Sequence, residues 1–223
     1  MSLDPALEGF NGLIRLFPLP NLVLYPNVIQ GLHLFEPRYR QLAHDSIGSD
    51  GLFALAVLKP GWEEDYEGDP PIEPIACLGH IIHHEKVADG RYNLRLRGVS
   101  RVRLLNEMKT RTPYRIARSE LVLDERPDDV ATLIALRKKL AGTVLSRFET
   151  GSATHTHLSE LFHSEAPLGQ VSDLLAYALP LSLELKYQLL AEPRVTERVE
   201  ILTHALNPIR MGPRKFPPEF SIN

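Results

Sequence analysis

The chain has 223 residues, of which 43% are hydrophobic and 24% are charged, a composition typical of a folded globular protein with a substantial core. Its 25 basic and 28 acidic residues give a formal net charge of −3, so no global positive field draws it to nucleic acid or to an acidic membrane. The single cysteine, Cys77, excludes an internal disulfide and a thiolate zinc cluster. No run reaches the roughly 20 apolar residues of a membrane helix, and the N-terminus lacks signal-peptide features, so we expect no membrane association and a cytoplasmic location.

Short β-strands are predicted in the first half of the chain. From Leu13 to about Leu123, apolar residues occur in short bursts or alternate with polar ones between Pro and Gly residues, a pattern typical of strands and turns. The segment GLFALAVLK at 51–59 indicates a strand that is buried on both faces. One helix is expected to begin at Pro37, because apolar residues then recur at helical spacing. These residues are Tyr39, Leu42, Ala43 and Ile47.

Four prolines interrupt the most apolar stretch of the chain, LFPLPNLVLYPNVIQGLHLFEPRYRQL at 16–42. Proline lacks a backbone donor and forces the preceding residue into an extended conformation, so it is confined to strand ends, sheet edges and bends. A continuous helix is therefore excluded here. The stretch is predicted to be a bent edge of a β-rich fold, with most of its apolar side chains in the core.

Helical periodicity begins near Pro127, which is followed by two aspartates and makes a favourable helix start. The segment SATHTHLSE at 152–160 is predicted to be a loop. Further helices are expected at VSDLLAYAL, at SLELKYQLLA with Ser182 as its cap, and after Pro193. Two apolar stripes are predicted to be buried: Val130, Leu133, Ile134, Leu140, Val144 and Phe148 in the first helix, and Val195, Val199, Leu202 and Leu206 in the last.

The sequence contains no recognised catalytic or nucleotide-binding motif. It lacks G-x-x-x-x-G-K-[ST], G-x-S-x-G and H-E-x-x-H, so a P-loop ATPase, a nucleophile elbow and that zinc-binding helix are excluded. On a strand, His80 and His84 of HIIHH share one face while His83 points to the other, which does not converge on one metal ion. We therefore expect no catalytic residue, no cofactor and no metal, and we expect Cys77 to be a buried hydrophobe.

Five arginines alternate along a predicted hairpin and could form a phosphate-binding stripe. No aromatic residues interleave with them to stack bases, and Glu85, Asp89 and Glu107 are nearby partners. A solvated, salt-bridged sheet face is therefore favoured over a nucleic-acid interface. The five are Arg91, Arg95, Arg97, Arg101 and Arg103.

Three blocks of the sequence resemble the N-terminal, substrate-binding (LON) domain of ATP-dependent Lon proteases. IRLFPLPNLVLYPNVIQGLHLFEPRYRQL resembles the family's xLFPLxNxVLFPG and LHxFEPRYxxL signatures, with Tyr25 as the usual aromatic residue and Asn27 in place of the common Gly. LGHIIHHEKVADGRYNLRLRGVSRVRLL is similar to its DGRYNLxLxGxxRxRI block, and VSDLLAYALPLSLELKYQLLAEPRVTERVEIL is similar to its C-terminal pattern. The resemblance covers roughly residues 12–208.

This resemblance implies an α+β fold, in which a β-rich, PUA-like pseudobarrel subdomain containing one helix is followed by an α-helical bundle subdomain. The boundary agrees with the change of periodicity near residue 124. We expect a β-rich subdomain at 12–124, a helical subdomain at 125–209 and a Pro-rich C-terminal extension at 210–223. The resemblance also implies a free-standing LON domain, with recognition retained and the ATPase and protease modules absent.

The function implied by the resemblance is non-catalytic recognition of unfolded or extended polypeptide segments, or of a partner protein. Exposed apolar groups of the Pro-rich stretch would form the binding surface. Two alternatives stay open: RNA binding, by fold-level analogy with PUA-like sheets, and a hydrolase with an unrecognised catalytic layout. The residues expected near the polypeptide-binding surface are Tyr25, Pro26, Phe35, Arg38 and Arg40.

Overall fold

The computed structural model describes residues 4–65 and 68–206, which form two compact units. The β-rich unit comprises residues 4–65, 68–123 and 182–191, and the helical unit comprises residues 124–181 and 192–206. Residues 182–191 were expected in the helical subdomain but pack with the strands. The predicted C-terminal extension lies outside the described residues. Among the described residues, no helix is both long and apolar enough to cross a membrane.

The described residues contain six strands and six α-helices, which confirms the predicted α+β fold class. The strands are β1 (Leu13–Leu19), β2 (Ile29–Leu34), β3 (Leu52–Val57), β4 (Ile75–Lys86), β5 (Tyr92–Met108) and β6 (Ile116–Val122). The helices are α1 (Pro37–Ile47), α2 (Val130–Leu145), α3 (Ala153–His163), α4 (Leu168–Ala178), α5 (Leu183–Ala191) and α6 (Val195–Leu206). Helices α1 and α5 belong to the β-rich unit.

The strands form a sheet that closes on itself. Its order is β2-β5-β4-β3-β1-β6, and β5 also pairs with β6. Closure is possible because β5 is 17 residues long, so that residues 92–97 pair with β2 while residues 101–108 pair with β6. Strands β1 and β3 are parallel, and the other pairs are antiparallel. The predicted pseudobarrel is confirmed.

The apolar core of the β-rich unit is built from neighbouring strands of this barrel. All six residues of β3 are buried, as predicted for GLFALAVLK. Alternate residues of the adjoining strands pack with them, because successive side chains of a strand point to opposite faces. The core includes Ile14, Leu16, Ala54, Ala76, Leu78, Val102 and Ala117.

Helix α1 packs against the strands through aromatic contacts. Pro37 occupies its first turn, where no backbone donor is needed. The ring of Tyr39 meets the ring of Phe17 edge-on, with 4.4 Å between the centroids. Tyr39, Leu42 and Ala43 are all buried, so the predicted helix and its apolar face are confirmed.

Two predictions for the helical unit are wrong. Val130 and Ile134, expected in a buried stripe, are 66% and 63% exposed. Leu140 and Val144 of the same predicted stripe are buried. The segment 152–160, expected to be a loop, lies mostly in α3. The hydroxyl of its N-cap residue Ser152 accepts a hydrogen bond from the His155 N–H at 3.2 Å. The predicted stripe of α6 is confirmed, since Val195, Val199, Leu202 and Leu206 are all buried.

A buried arginine links elements of the helical unit. Arg198 of α6 is 0% exposed and lies 3.0 Å from the carboxylate of Asp173 in α4 and 2.7 Å from that of Asp124. Gly169 leaves the room that this cluster needs, because a Cβ there would lie 2.2 Å from Asp124 Oδ2 and 2.9 Å from an Arg198 nitrogen. The ion pairs are therefore enclosed by backbone as well as by side chains.

Candidate functional site

The Pro-rich stretch places a tight turn against β5. The Val28 N–H donates to the Tyr25 carbonyl at 3.2 Å, with Pro26 and Asn27 at the two central positions. Asn27 has φ 64°, the positive value that the third residue of a type II turn requires and that Gly or Asn adopts most easily. Gly98 of β5 lies against this turn, since a Cβ there would come within 2.1 Å of the Tyr25 oxygen. The exchange of Gly for Asn at position 27 is therefore compatible with the turn.

Three polar contacts hold α5 on the barrel. The Tyr25 hydroxyl donates to the Lys186 carbonyl at 2.6 Å, and Arg101 Nε donates at 2.8 Å to a carbonyl in the last turn of α5. The Tyr187 hydroxyl accepts a hydrogen bond from the Ile75 N–H at 3.2 Å. Tyr25 and Arg101 are 0% and 2% exposed, so neither presents its side chain at the surface. Arg101 is not part of an exposed stripe, because α5 covers it.

An open groove lies beside α5, within the β-rich unit. It encloses about 540 Å³, inside the range of roughly 300–1,000 Å³ that is usual for ligand pockets. Four separate segments contribute to it: the residue after β1, the end of β3 with the residues that follow, the segment before β4, and the first turns of α5. We call it the α5 groove. Its lining residues are Pro20, Val57, Leu58, Pro60, Trp62, Glu73, Leu183, Glu184 and Tyr187.

Backbone hydrogen bonds fix the strand side of the α5 groove. The Leu58 N–H donates to the Leu19 carbonyl at 3.0 Å, and the Glu73 N–H donates to the Val57 carbonyl at 2.8 Å. On the helix side, the hydroxyl of Ser182 accepts from a backbone N–H of the first turn of α5 at 3.3 Å, as predicted for a cap. Both walls are therefore held by the fold itself, which favours a preformed binding surface.

The α5 groove is apolar with acidic positions. Seven of its nine lining residues are apolar or aromatic, and the other two are Glu73 and Glu184. Burial raises the pKa of the Tyr187 hydroxyl, and the Glu73 carboxylate adds to this shift. Burial also lowers the pKa of the neighbouring Lys186. The groove thus offers contact to apolar groups together with two carboxylates.

Phe35 and Arg38 lie on another part of the β-rich unit. Phe35 is 44% exposed, and its ring stacks on that of His33 with 6.3 Å between the centroids. Arg38 is partly buried, its Nε donates to Glu36 at 2.9 Å, and its guanidinium lies 4.8 Å from the centroid of the Tyr39 ring. Phe35 is therefore accessible for contact, whereas Arg38 is engaged in fixing the start of α1.

Arg40 and Pro26 each take part in a turn of the β-rich unit. Arg40 Nε donates to the Gly90 carbonyl at 2.8 Å, and a Cβ at Gly90 would lie 2.2 Å from the Arg40 guanidinium. This contact fixes the turn between β4 and β5. Pro26 is half-buried in the turn described above. The structure does not bring the five predicted residues together at one accessible surface.

Most of the predicted arginine stripe is engaged by the protein. Arg91 pairs with Asp89, Arg97 with Asp4 and Arg103 with Glu120, at 2.6, 2.6 and 3.2 Å. The hydrogen bond from Arg97 holds the pKa of Asp4 below its usual value. Across residues 4–65 and 68–206, no group of three or more His, Cys, Asp or Glu side chains is placed to hold a metal ion.

The family model of the ATP-dependent protease La (LON) substrate-binding domain matches residues 14–208. The chain belongs to this family. This LON domain also resembles the solved structure of a Lon N-terminal domain protein from Xanthomonas campestris, with a TM-score of 0.63 and 26% identity over 86% of this chain and 97% of that one. The N-terminal domain of the Mycobacterium avium complex Lon protease shares the fold, with a TM-score of 0.68 at 15% identity over 87% of this chain and 97% of that one.

Whole Lon proteases are longer relatives of this LON domain. A Lon protease 2 from Syntrophobacter fumaroxidans is 35% identical over 58% of this chain and 17% of its own length. A Lon protease from Anaeromyxobacter dehalogenans is 25% identical over 90% of this chain and 24% of its own length. The chain therefore matches less than a quarter of these relatives.

Sequence reasoning missed the α5 groove. Its lining residues come from positions 20, 57–62, 73 and 183–187, which only the folded chain brings together. One signal was present: Trp62, the single tryptophan of the chain, stands in the acidic stretch GWEEDYEGDPP at 61–71, where an aromatic residue of this size is unexpected. In the structure Trp62 is half-buried and begins a short 3₁₀ helix.

Proposed function

We propose that this LON domain is a non-catalytic recognition module that binds unfolded or extended polypeptide segments in the α5 groove. The observation that carries the proposal is the groove itself, an open and largely apolar groove of about 540 Å³ with Trp62 and Tyr187 among its lining residues. Aromatic side chains supply large contact areas at low conformational cost, which suits recognition of varied apolar segments.

Membership of the LON substrate-binding family supports a polypeptide as the ligand. The Pro-rich signature then contributes mainly by building the site. Pro20 lines the groove, and Tyr25 holds the helix that forms one wall. Phe35 and Arg38 are a second candidate contact surface, and Phe35 is exposed there.

The test is fluorescence anisotropy of a labelled, permanently unfolded polypeptide with the full chain, without ATP and beside a folded control protein. We expect saturable binding to the unfolded polypeptide that Trp62→Ala weakens. Leu105→Ala is the matched control, because Leu105 is an exposed apolar residue of β5 outside the lining of the groove. The labelled polypeptide should remain intact after prolonged incubation, as a non-catalytic module requires.

The double variant Phe35→Ala, Arg38→Ala separates the two surfaces. If it abolishes binding while Trp62→Ala has no effect, the contact surface lies at Phe35 rather than in the α5 groove. Absence of binding at high protein concentration would refute general recognition of unfolded chains. Circular dichroism of each variant must match the parent protein before its binding is compared.

A further inference from the structure

The α5 groove carries negative charge without matching positive charge in the described part of the chain. Its two charged lining residues are both carboxylates, Glu73 and Glu184. Neither forms an ion pair with a basic side chain of residues 4–65 or 68–206. Glu63 and Glu64 directly follow Trp62 in its 3₁₀ helix and are exposed. Carboxylates beside an apolar wall attract cations more strongly than carboxylates in open solvent.

The basic residues nearest in sequence do not reverse this charge. Lys59 is exposed on the strand side, and Lys186 is partly buried in α5. The stretch from residue 61 to residue 71 contains five acidic residues and no basic one. In sequence, Trp62 therefore stands in an acidic stretch.

The chemistry of the groove matches one kind of side chain particularly well. Lysine and arginine have an apolar stem that packs along apolar surface and a cationic end that seeks a carboxylate. Trp62 and Tyr187 also line the groove, and aromatic side chains attract cations through their ring faces. A segment that combines apolar and basic residues can therefore use both features of the groove, whereas an acidic segment is repelled by Glu73 and Glu184.

Resting on the proposed function, we propose that the α5 groove selects extended polypeptide segments in which apolar residues stand beside lysine or arginine, and that it discriminates against acidic segments. The selectivity arises from Glu73 and Glu184, and the basal affinity arises from the apolar wall around Trp62. Charge complementarity of this kind is screened by salt, so the preference must weaken as ionic strength rises.

The test compares three labelled, unstructured peptides that share the same apolar residues and differ only in carrying Lys, Gln or Glu at the remaining positions. At low salt we expect the Lys peptide to bind about tenfold more tightly than the Gln peptide. This factor corresponds to the combined binding free energy of two partly exposed charge contacts, one at each glutamate. The Glu peptide should bind most weakly. High salt should bring the three affinities together.

The decisive variant is Glu73→Gln with Glu184→Gln, which removes both charges and keeps the side-chain shapes. It should abolish the preference for the Lys peptide, so that the Lys and Gln peptides bind the variant with equal affinity. The matched control is Glu149→Gln with Glu160→Gln, because both residues are exposed carboxylates of the helical unit. This control changes net charge equally and should preserve the preference.

The outcomes separate the two proposals. Equal, Trp62-dependent binding of the Lys and Gln peptides would overturn charge selection while the polypeptide-binding groove stands. A Lys preference that the control variant removes as completely as the groove variant would also overturn it, since net charge would then be the cause. Failure of every peptide to bind would overturn both proposals.

Discussion

Replacing Asp173 by Asn is expected to destabilise the helical unit by about 3 kcal/mol. Breaking one partner of a buried ion pair generally costs roughly 3–5 kcal/mol, because the remaining charge stays buried without compensation. Arg198 is 0% exposed, so water cannot replace the lost carboxylate. The expected value lies at the lower end of the range, because Arg198 keeps Asp124 at 2.7 Å and Asn retains a side-chain oxygen that can accept a hydrogen bond.

The loss is measured by urea unfolding followed by circular dichroism, which reports the helical unit most directly. The free energy of unfolding falls linearly with denaturant, so a lower midpoint at constant slope gives the change in stability. Lys139→Met is the matched control in the same unit. The Lys139–Glu200 pair is short, at 2.6 Å, but its side chains are 48% and 51% exposed, and such a pair contributes at most about 1 kcal/mol.

A loss below about 1 kcal/mol for Asp173→Asn, equal to that of the control, would refute the reasoning. It would mean that Asp124 alone compensates Arg198, or that the site admits water when the carboxylate is removed. A loss near 3 kcal/mol is a large fraction of the roughly 5–15 kcal/mol that stabilises a typical domain.

Two further predictions concern the β-rich unit. Tyr25→Phe should lower its stability by about 1 kcal/mol, because one hydrogen bond to the Lys186 carbonyl is lost while the buried ring is kept; an unchanged urea midpoint together with unchanged polypeptide affinity would show that the hydroxyl does not hold α5. Burial and, after it, the hydrogen bond to Asp45 raise the pKa of Tyr114 from 10.0 to about 12. A phenol whose pKa is raised on folding contributes stability that is complete below the unfolded pKa and is lost as pH rises through the folded pKa. Stability should therefore fall between about pH 10 and 12, and Tyr114→Phe should reduce this fall when urea midpoints are compared across that range.

Local patterns predicted the elements whose burial follows their own periodicity. The continuously apolar run of β3 and the regular spacing of Val195, Val199 and Leu202 each specify one buried surface without reference to distant residues.

The errors arise where another element decides what is buried. Ile134 fits the periodic stripe of α2 but remains 63% exposed, because a stripe indicates which residues share a face and not where the packing partner ends. The segment THTH was predicted to be a loop because it is polar. The helix α3 that contains it buries only two side chains, Leu158 and Phe162, so its apolar periodicity is weak. The cap at Ser152 was the signal that could have identified α3.

The α5 groove could not be predicted from local patterns, because it depends on the assignment of α5 to the barrel. Periodicity shows that 183–191 is helical. It cannot show that this helix packs against a part of the chain more than 100 positions away. The hydrogen bond from the Tyr25 hydroxyl to the Lys186 carbonyl, for example, joins residues that are 161 positions apart. The aromatic residue of the signature block, expected at the binding surface, is instead buried beneath the helix that forms one wall. Tyr25 therefore affects recognition by positioning α5, and this is why Tyr25→Phe should change both stability and binding, whereas Trp62→Ala should mainly change binding.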